Sequence, residues 1–187
     1  MDQRGLVERA RRGEHDAFAS LIDLRLARLD AAARLILRDG ELARDAVQEA
    51  LIRAWRDLPG LRDPDRFDAW LHRLLVNACL DLVRRRKRRV IEVELTPIDA
   101  PMSDDVAGAL ADRELLDKAL AGLAPGHRAV VALHYLLGMP LPEVATSLGI
   151  PHGTAKSRLH YALAAMRTTV TAEPEPVPVA VAGGQLA

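Results

Sequence analysis

The stretch from Asp65 to Arg89 carries the residue types best suited to chemistry with a partner. At helical spacing it separates into two faces. One is an apolar stripe typical of a helix that faces a core: Phe67, Leu71, Leu74, Leu75, Ala78 and Leu82. The opposite face recurs at three- and four-residue steps: Trp70, Arg73, Asn77, Asp81, Arg84 and Arg88.

The second face favours contact with nucleic acid. An amide such as Asn77 can pair with the edge of a base, and an indole such as Trp70 can stack on its plane. The chain then runs through six adjacent cations, from Arg84 to Arg89, which are stable only near a polyanion. The helix dipole favours cations at a helix C-terminus, but it accounts for one or two of them rather than six.

A short loop, residues 59–64, leads into this helix and contains two prolines. Either Asp63 or Asp65 could cap the helix that follows. A loop of this rigidity beside a helix that reads bases is a good wall for a pocket. It is equally well explained as a simple connection.

Composition and charge predict two helical domains. Only 3% of the 187 residues are aromatic, and Ala, Leu and Arg favour helices over sheets. Residues 1–89 hold 20 Lys and Arg against 15 Asp and Glu, whereas residues 90–112 hold six acids and neither Lys nor Arg. Residues 119–170 are again basic, with four bases against Glu143, so the net charge of zero conceals two basic segments around an acidic one.

The fold prediction is therefore all-α, with two small helical domains joined by a flexible acidic linker. The domains are placed at 1–89 and 113–170, the linker at 90–112 and a disordered tail at 171–187. The predicted helices are 3–12, 15–38, 41–58, 65–89, 113–123, 126–137, 141–148 and 152–168.

The last two predicted helices form a helix-turn-helix around Gly149. Thr154 lies near the start of the second helix, where free N–H groups suit a phosphate. The outward side chains suit the major groove of DNA: Lys156, Ser157, Arg158, His160 and Tyr161.

The helix at 41–58 carries a mixed strip of acids, amides and bases beside Ile52. Such a strip is typical either of a protein-docking surface or of an ordinary solvated face, and composition leaves both open.

Several classes of function find no support in the sequence. Cys79 is the only cysteine, so no disulfide forms within the chain and a reducing cytoplasm is expected. There is no signal peptide and no apolar run long enough for membrane insertion. We find no metal-ligand spacing, no Gly-rich phosphate loop and no nucleophile–base pair, and we predict neither an enzyme nor a cofactor.

The order of these segments resembles the extracytoplasmic-function (ECF) group of bacterial sigma factors, in the sigma-70 family. Residues 45–56 (DAVQEALIRAWR) and 67–77 (FDAWLHRLLVN) are similar to the family's second conserved region, and residues 141–160 to its fourth. The resemblance implies an alternative sigma factor that binds core RNA polymerase, opens promoter DNA and starts transcription. It also implies contacts with the β′ clamp helices and the β flap, and an anti-sigma factor as a further partner.

The resemblance assigns three sets of residues. The surface for core polymerase would comprise Asp45, Gln48, Glu49, Arg53 and Trp55. The single-stranded minus-ten element would contact Arg62, Trp70, Arg73, Asn77, Asp81, Arg84, Arg85 and Arg88. The minus-thirty-five element would contact Thr154, Lys156, Ser157, Arg158, His160 and Tyr161.

Two positions depart from the family pattern. Asp81 is an acid where some relatives carry an amide, so it either reads an exocyclic amine or faces away from DNA. Tyr161 occupies a place often held by Arg. By analogy with the family, the acidic linker would mimic nucleic acid and run through the polymerase cleft.

A rival interpretation is a helix-turn-helix regulator that acts on duplex DNA without being a polymerase subunit. It explains residues 113–168 but assigns no role to Trp70, Asn77 or the basic run.

Overall fold

The computed structural model describes residues 2–92 and 109–172, and the regular elements in both ranges are helical. The first range contains α1 Gln3–Arg11, α2 His15–Asp23, α3 Leu26–Leu37, α4 Gly40–Asp57 and α5 Phe67–Glu92. The second contains α6 Ala109–Ala121, α7 Pro125–Val131, α8 Leu141–Leu148 and α9 His152–Ala172. The all-α prediction is confirmed.

The prediction of one helix over residues 15–38 is wrong, because a turn at Leu24 and Arg25 interrupts the helix and separates α2 from α3. The Arg25 guanidinium donates to the Leu21 carbonyl at 2.7 Å, to the Gln3 side chain at 2.6 Å and to Asp68 at 2.5 Å. One side chain therefore satisfies a carbonyl at the end of α2 and ties that end to α1 and α5.

Two aspartates begin the helices that carry the candidate sites. The Asp39 carboxylate accepts from the backbone N–H groups of Glu41 and Leu42, both at 3.0 Å, and caps α4. The Asp63 carboxylate accepts from the N–H of Asp65 at 3.0 Å, at the head of a 3-10 turn that leads directly into α5. Of the two capping candidates in the sequence, Asp63 is the one that caps.

The core of the first five helices forms around α5, which packs along α4 and α3. Phe67, Leu71 and Leu75 are buried in it, together with Leu29 and Ile36 of α3. Burial of large aliphatic side chains at this density stabilises the fold by roughly 1.5–3 kcal/mol for each of them.

The ends of several helices differ from the prediction. The chain from α7 continues as a π-helical turn over Ala132–Leu136, and α9 continues to Ala172 rather than ending at 168. The predicted linker 90–112 overlaps the end of α5 and the start of α6, and its residues 93–108 lie outside the described residues. Residues 173–187 of the predicted tail also lie outside them.

The two helical units are packed against one another. Helix α7 and the π-helical turn contact α3, and α8 contacts α5. Val130, Leu133 and Val144 of the second unit belong to the same buried cluster as Ile36 and Leu71 of the first. The contact is therefore apolar at its centre.

Candidate nucleic-acid interface

Helix α5 has the two faces that its sequence predicts. Phe67, Leu71 and Leu75 are buried, whereas Arg73 and Asn77 are exposed. Among the residues of the predicted second face, Trp70 is half-buried, and its ring lies 5.9 Å from the Phe67 ring. Such a position fixes the indole by packing while leaving part of its surface free for a base.

The basic end of α5 presents Arg84, Arg85 and Arg88 to solvent. The Arg86 side chain instead forms an ion pair at the start of α4, where its Nη1 lies 3.6 Å from Oδ2 of Asp39. The side chain of Arg89 is outside the described part of the chain.

Asp81 lies between two arginines of different helices. Its carboxylate accepts from Arg84 at 2.9 Å and lies 3.7 Å from Arg53 of α4. Arg53 in turn donates to Glu49 at 2.7 Å. The acid therefore neutralises part of the positive charge where α4 meets α5.

The strip on α4 is exposed at Asp45, Gln48 and Glu49, while Arg53 is half-buried. Ile52, between them, is 54% exposed, which is unusual for a large aliphatic residue. Next to the strip, a groove of about 710 Å³ runs between α3 and α4 and is lined mainly by apolar side chains, among them Leu26, Ala27, Val47, Leu51 and Ile52.

Trp55, on the same helix as the rest of the predicted polymerase surface, packs against α2. Its ring stacks on His15 at 4.4 Å and meets the edge of Phe18 at 5.1 Å. Half-buried between α2 and α4, it contributes to helix packing.

The helix-turn-helix is formed as predicted. Gly149 ends α8 in the left-handed conformation, with a φ of 63°, and its N–H bonds to carbonyls of the last turn. In α9, Ala155 and Ala162 are buried. The exposed predicted DNA contacts of α9 are Lys156, Ser157, His160 and Tyr161.

Arg158 and Thr154 are half-buried rather than outward. The Arg158 guanidinium lies so close to Gly126 that a Cβ there would be 3.3 Å from Nη1. His127 lies beside it, with its ring 4.9 Å from the Tyr161 ring. Burial, aided by the charge of Arg158, lowers the pKa of His127. The start of α7 therefore supports two predicted DNA-contacting side chains of α9.

Sequence reasoning missed a cavity of about 320 Å³ where the two units meet. The first unit contributes Leu61, Arg62, Asp63, Arg66, Ala69, Trp70 and Arg73 to its lining. The second contributes Met139, Glu143, Thr146 and Ser147. The loop at 59–64, for which the sequence left a pocket wall and a simple connection both open, lines this cavity. Helix α8 forms the opposite wall, and no local pattern could have indicated that.

The comparisons with known proteins agree on the class. Residues 21–89 match Sigma-70 region 2, and residues 113–166 match Sigma-70, region 4. The ECF RNA polymerase sigma factor SigL of Mycobacterium tuberculosis is 36% identical over 167 residues, which are 88% of this chain and 94% of SigL. The RNA polymerase sigma-E factor of Streptomyces avermitilis is 37% identical over 155 residues, 83% of this chain and 86% of that protein.

Two solved structures extend the likeness to the fold. The sigma factor RpoE of Bartonella quintana, solved with the anti-sigma factor NepR, gives a TM-score of 0.74 at 25% identity, over 84% of this chain and 98% of that one. CnrH, solved with the cytosolic domain of CnrY, gives 0.67 at 29%, over 92% and 99%.

This chain belongs to the ECF group of the sigma-70 family. Its function is that of an alternative sigma factor in transcription initiation, so the resemblance inferred from the sequence is confirmed and the rival regulator is not supported. In the described ranges, none of the helices combines the length and apolar character that crossing a bilayer requires.

Proposed function

We propose that the chain uses three separate surfaces in turn: the exposed face of α4 for core polymerase, α5 for a melted promoter strand and α9 for the upstream duplex. The observation that supports this division is that the predicted contacts fall largely on three different helices, and that most members of each set are exposed.

The α4 face would dock on the β′ clamp helices. The apolar groove beside Ile52 offers burial, and Asp45, Gln48 and Glu49 at its rim offer polar contacts that set the register. Trp55 would act by holding α4 against α2 instead of touching the polymerase.

On α5, Asn77 and Arg73 would contact bases of the minus-ten strand, and Trp70 would stack on one of them. Arg84, Arg85 and Arg88 would bind the phosphates that follow. Asp81, engaged with Arg53 and Arg84, would limit the charge of this face and connect it to the polymerase-binding helix.

On α9, Lys156, Ser157 and His160 would enter the major groove of the minus-thirty-five element. Each DNA surface alone would bind weakly. Their attachment to one polymerase raises the effective concentration of the second contact once the first has formed.

The remaining partners are proposed from the relatives. Because RpoE and CnrH were solved with NepR and CnrY, an anti-sigma factor is a proposed partner of this chain as well. The end of α9, with Leu163, Met166 and Val170 on one face, would meet the β flap. A protein that works on core polymerase and promoter DNA would act in the cytoplasm, and catalysis would belong to the polymerase.

The proposal is tested by transcription with core bacterial RNA polymerase on a genomic promoter library, with and without this protein. We expect transcripts from discrete start sites that are reduced about 10-fold or more by Asn77→Ala and by Lys156→Ala, since one good base contact contributes roughly 1–3 kcal/mol. The matched control is Arg12→Ala, which removes an exposed charge on α1's C-cap. Absence of discrete starts, with wild-type protein bound to core, would refute the proposal.

A further inference from the structure

We propose that Tyr161 recognises a thymine in the upstream duplex, and that His127, on a helix outside the helix-turn-helix, is the positioning residue that holds the tyrosine ring for this contact. The inference rests on the proposed role of α9 as the helix that enters the major groove. It begins with a ring pair that joins two helices. The ring centroids of His127 and Tyr161 lie 4.9 Å apart, with 42° between the ring planes.

Tyr161 lies on the same side of α9 as the other proposed contacts with the groove. It follows Ser157 by four residues, as His160 follows Lys156, and residues at this spacing are neighbours on a helix surface. Tyr161 is 59% exposed, which leaves most of its surface uncovered. The ring can therefore touch DNA with the surface that His127 does not cover.

The histidine side of the ring pair is fixed by packing. His127 is half-buried at the start of α7, next to the buried Arg128 and Ala129, and α7 packs along α9. The buried Nδ1 of His127 has no hydrogen-bond partner among the described residues, so van der Waals contact holds that edge of the imidazole. A fixed ring on one side limits the positions that the Tyr161 ring can take, which lowers the entropy cost of placing it in a groove.

Electrostatics keep this support uncharged. Burial lowers the pKa of His127, and the positive charge of Arg158 lowers it further. Arg158 itself lies against the first turn of α7, where a Cβ on Gly126 would be 3.3 Å from its Nη1. A neutral imidazole offers no charge to phosphates, so the ring pair contributes shape and contact rather than a general attraction to DNA.

The chemistry of the tyrosine ring favours thymine. A guanidinium can donate two parallel hydrogen bonds to O6 and N7 of guanine, whereas a tyrosine offers one hydroxyl and an apolar ring edge. In the major groove, the apolar partner for such an edge is the 5-methyl group of thymine, which cytosine lacks. Tyr161 should therefore distinguish thymine from the other bases through one methyl contact.

The test begins with a selection from promoter duplexes that are randomised over the upstream element, with the protein bound to core bacterial RNA polymerase. Each thymine of the selected sequence, on either strand, is then replaced by uracil, which lacks only the methyl group. We expect one position at which uracil weakens binding about 4-fold, the effect that corresponds to removing one buried carbon.

Variants assign that position to Tyr161. Tyr161→Ala should abolish the uracil effect, Tyr161→Phe should keep it, and Tyr161→Arg should remove the thymine from a repeated selection. The matched control is Tyr135→Ala, which removes a tyrosine that is also 59% exposed and whose ring lies 4.8 Å from that of His134, but which lies outside α9. The control should keep the full uracil effect.

The role of His127 is tested by rescue with another ring. His127→Ala should reduce the uracil effect, and His127→Phe, which restores an aromatic ring without its polar nitrogens, should bring it back. A helix that is merely destabilised would lose affinity for the thymine and uracil duplexes alike, so the ratio of the two affinities separates positioning from stability.

Uracil tolerated at every position by the wild type, or an equal uracil effect in Tyr161→Ala, would overturn the recognition of thymine. An unchanged effect in His127→Ala, or a loss that His127→Phe does not restore, would overturn the positioning role. Discrete transcripts alongside any of these results would leave the proposed function standing, because α9 can bind the upstream duplex through Lys156, Ser157 and His160 without this contact.

Discussion

The two helices that carry the proposed DNA contacts, α5 and α9, pack against the rest of the protein in different ways. Helix α5 rests on large side chains that are fully buried, among them Phe67, Leu71 and Leu75. The fully buried residues of α9 are Ala155 and Ala162, and its larger apolar residues are half-buried. The helix proposed to bind the melted strand is thus anchored over a wide apolar contact, while the helix proposed to enter the major groove sits close to its neighbours on small residues.

The largest effect that tests this contrast is expected from Leu75→Ala. Truncating a fully buried leucine should lower the free energy of unfolding by about 4 kcal/mol, because it removes apolar contacts and leaves a cavity. Leu159→Ala, at a half-buried position of α9, should cost about 1–2 kcal/mol. Urea unfolding of both variants measures the difference, and equal losses would contradict the contrast.

The free energy of unfolding should depend on pH through His72 of α5. Burial lowers the pKa of His72 from 6.5 to about 4, outweighing the opposite effect of Asp68, and its buried Nδ1 has no hydrogen-bond partner among the described residues. His72 is therefore neutral when folded, and the stability this contributes is complete above pH 6.5 and lost as pH falls through about 4.

The loss on acidification from this residue is on the order of 3 kcal/mol. Unfolding titrations of wild type and His72→Gln between pH 4 and pH 7 isolate it from the carboxylates that titrate in the same range. The variant should show a flatter profile, and parallel profiles would contradict the assignment.

A smaller loss of stability is expected from a substitution at Arg128, where the two units join. Arg128→Met keeps most of the aliphatic stem and removes the donors to the carbonyls of Ile36 and Leu123, which should cost about 2 kcal/mol. Burial of the Arg128 guanidinium lowers its pKa to about 10, which shows that the charge is poorly solvated. The substitution removes this unfavourable burial, and the relief limits the loss of stability. Hydrogen exchange should increase at the seam between α3 and α7, with no change in α1.

The smallest effect is expected from Asp81→Asn. The ion pairs of Asp81 with Arg53 and Arg84 are partly exposed, so the free energy of unfolding should change by less than about 0.5 kcal/mol. The freed positive charge should nevertheless strengthen strand binding and increase its dependence on salt. Binding measured over a series of salt concentrations checks this, and an unchanged slope would show that Asp81 does not moderate the face.

The sequence predicted best those features that depend on residues close together in the chain. The two faces of α5 and the turn at Gly149 follow from local period and residue type, and the structure has both. Prediction from the sequence failed at Arg25, because Ala, Leu and Arg keep the helical period through the break and only contacts with Gln3 and Asp68 explain it.

The same limit applies to the site. Nothing near Trp55 indicates that its ring is occupied by His15 and Phe18, which are more than 35 residues away along the chain. Nor could any local pattern place Arg66 opposite Glu143. Contacts between distant segments carry this information, and a single sequence does not contain it in readable form.

The only cysteine has a consequence for signalling. Cys79 is fully buried in α5, and burial raises the pKa of its thiol to about 12, so the reactive thiolate is scarce at neutral pH. Peroxide and disulfide reagents therefore find no accessible sulfur of cysteine on the folded chain. If this sigma factor answers oxidative stress, Cys79 is therefore not the residue that senses the oxidant.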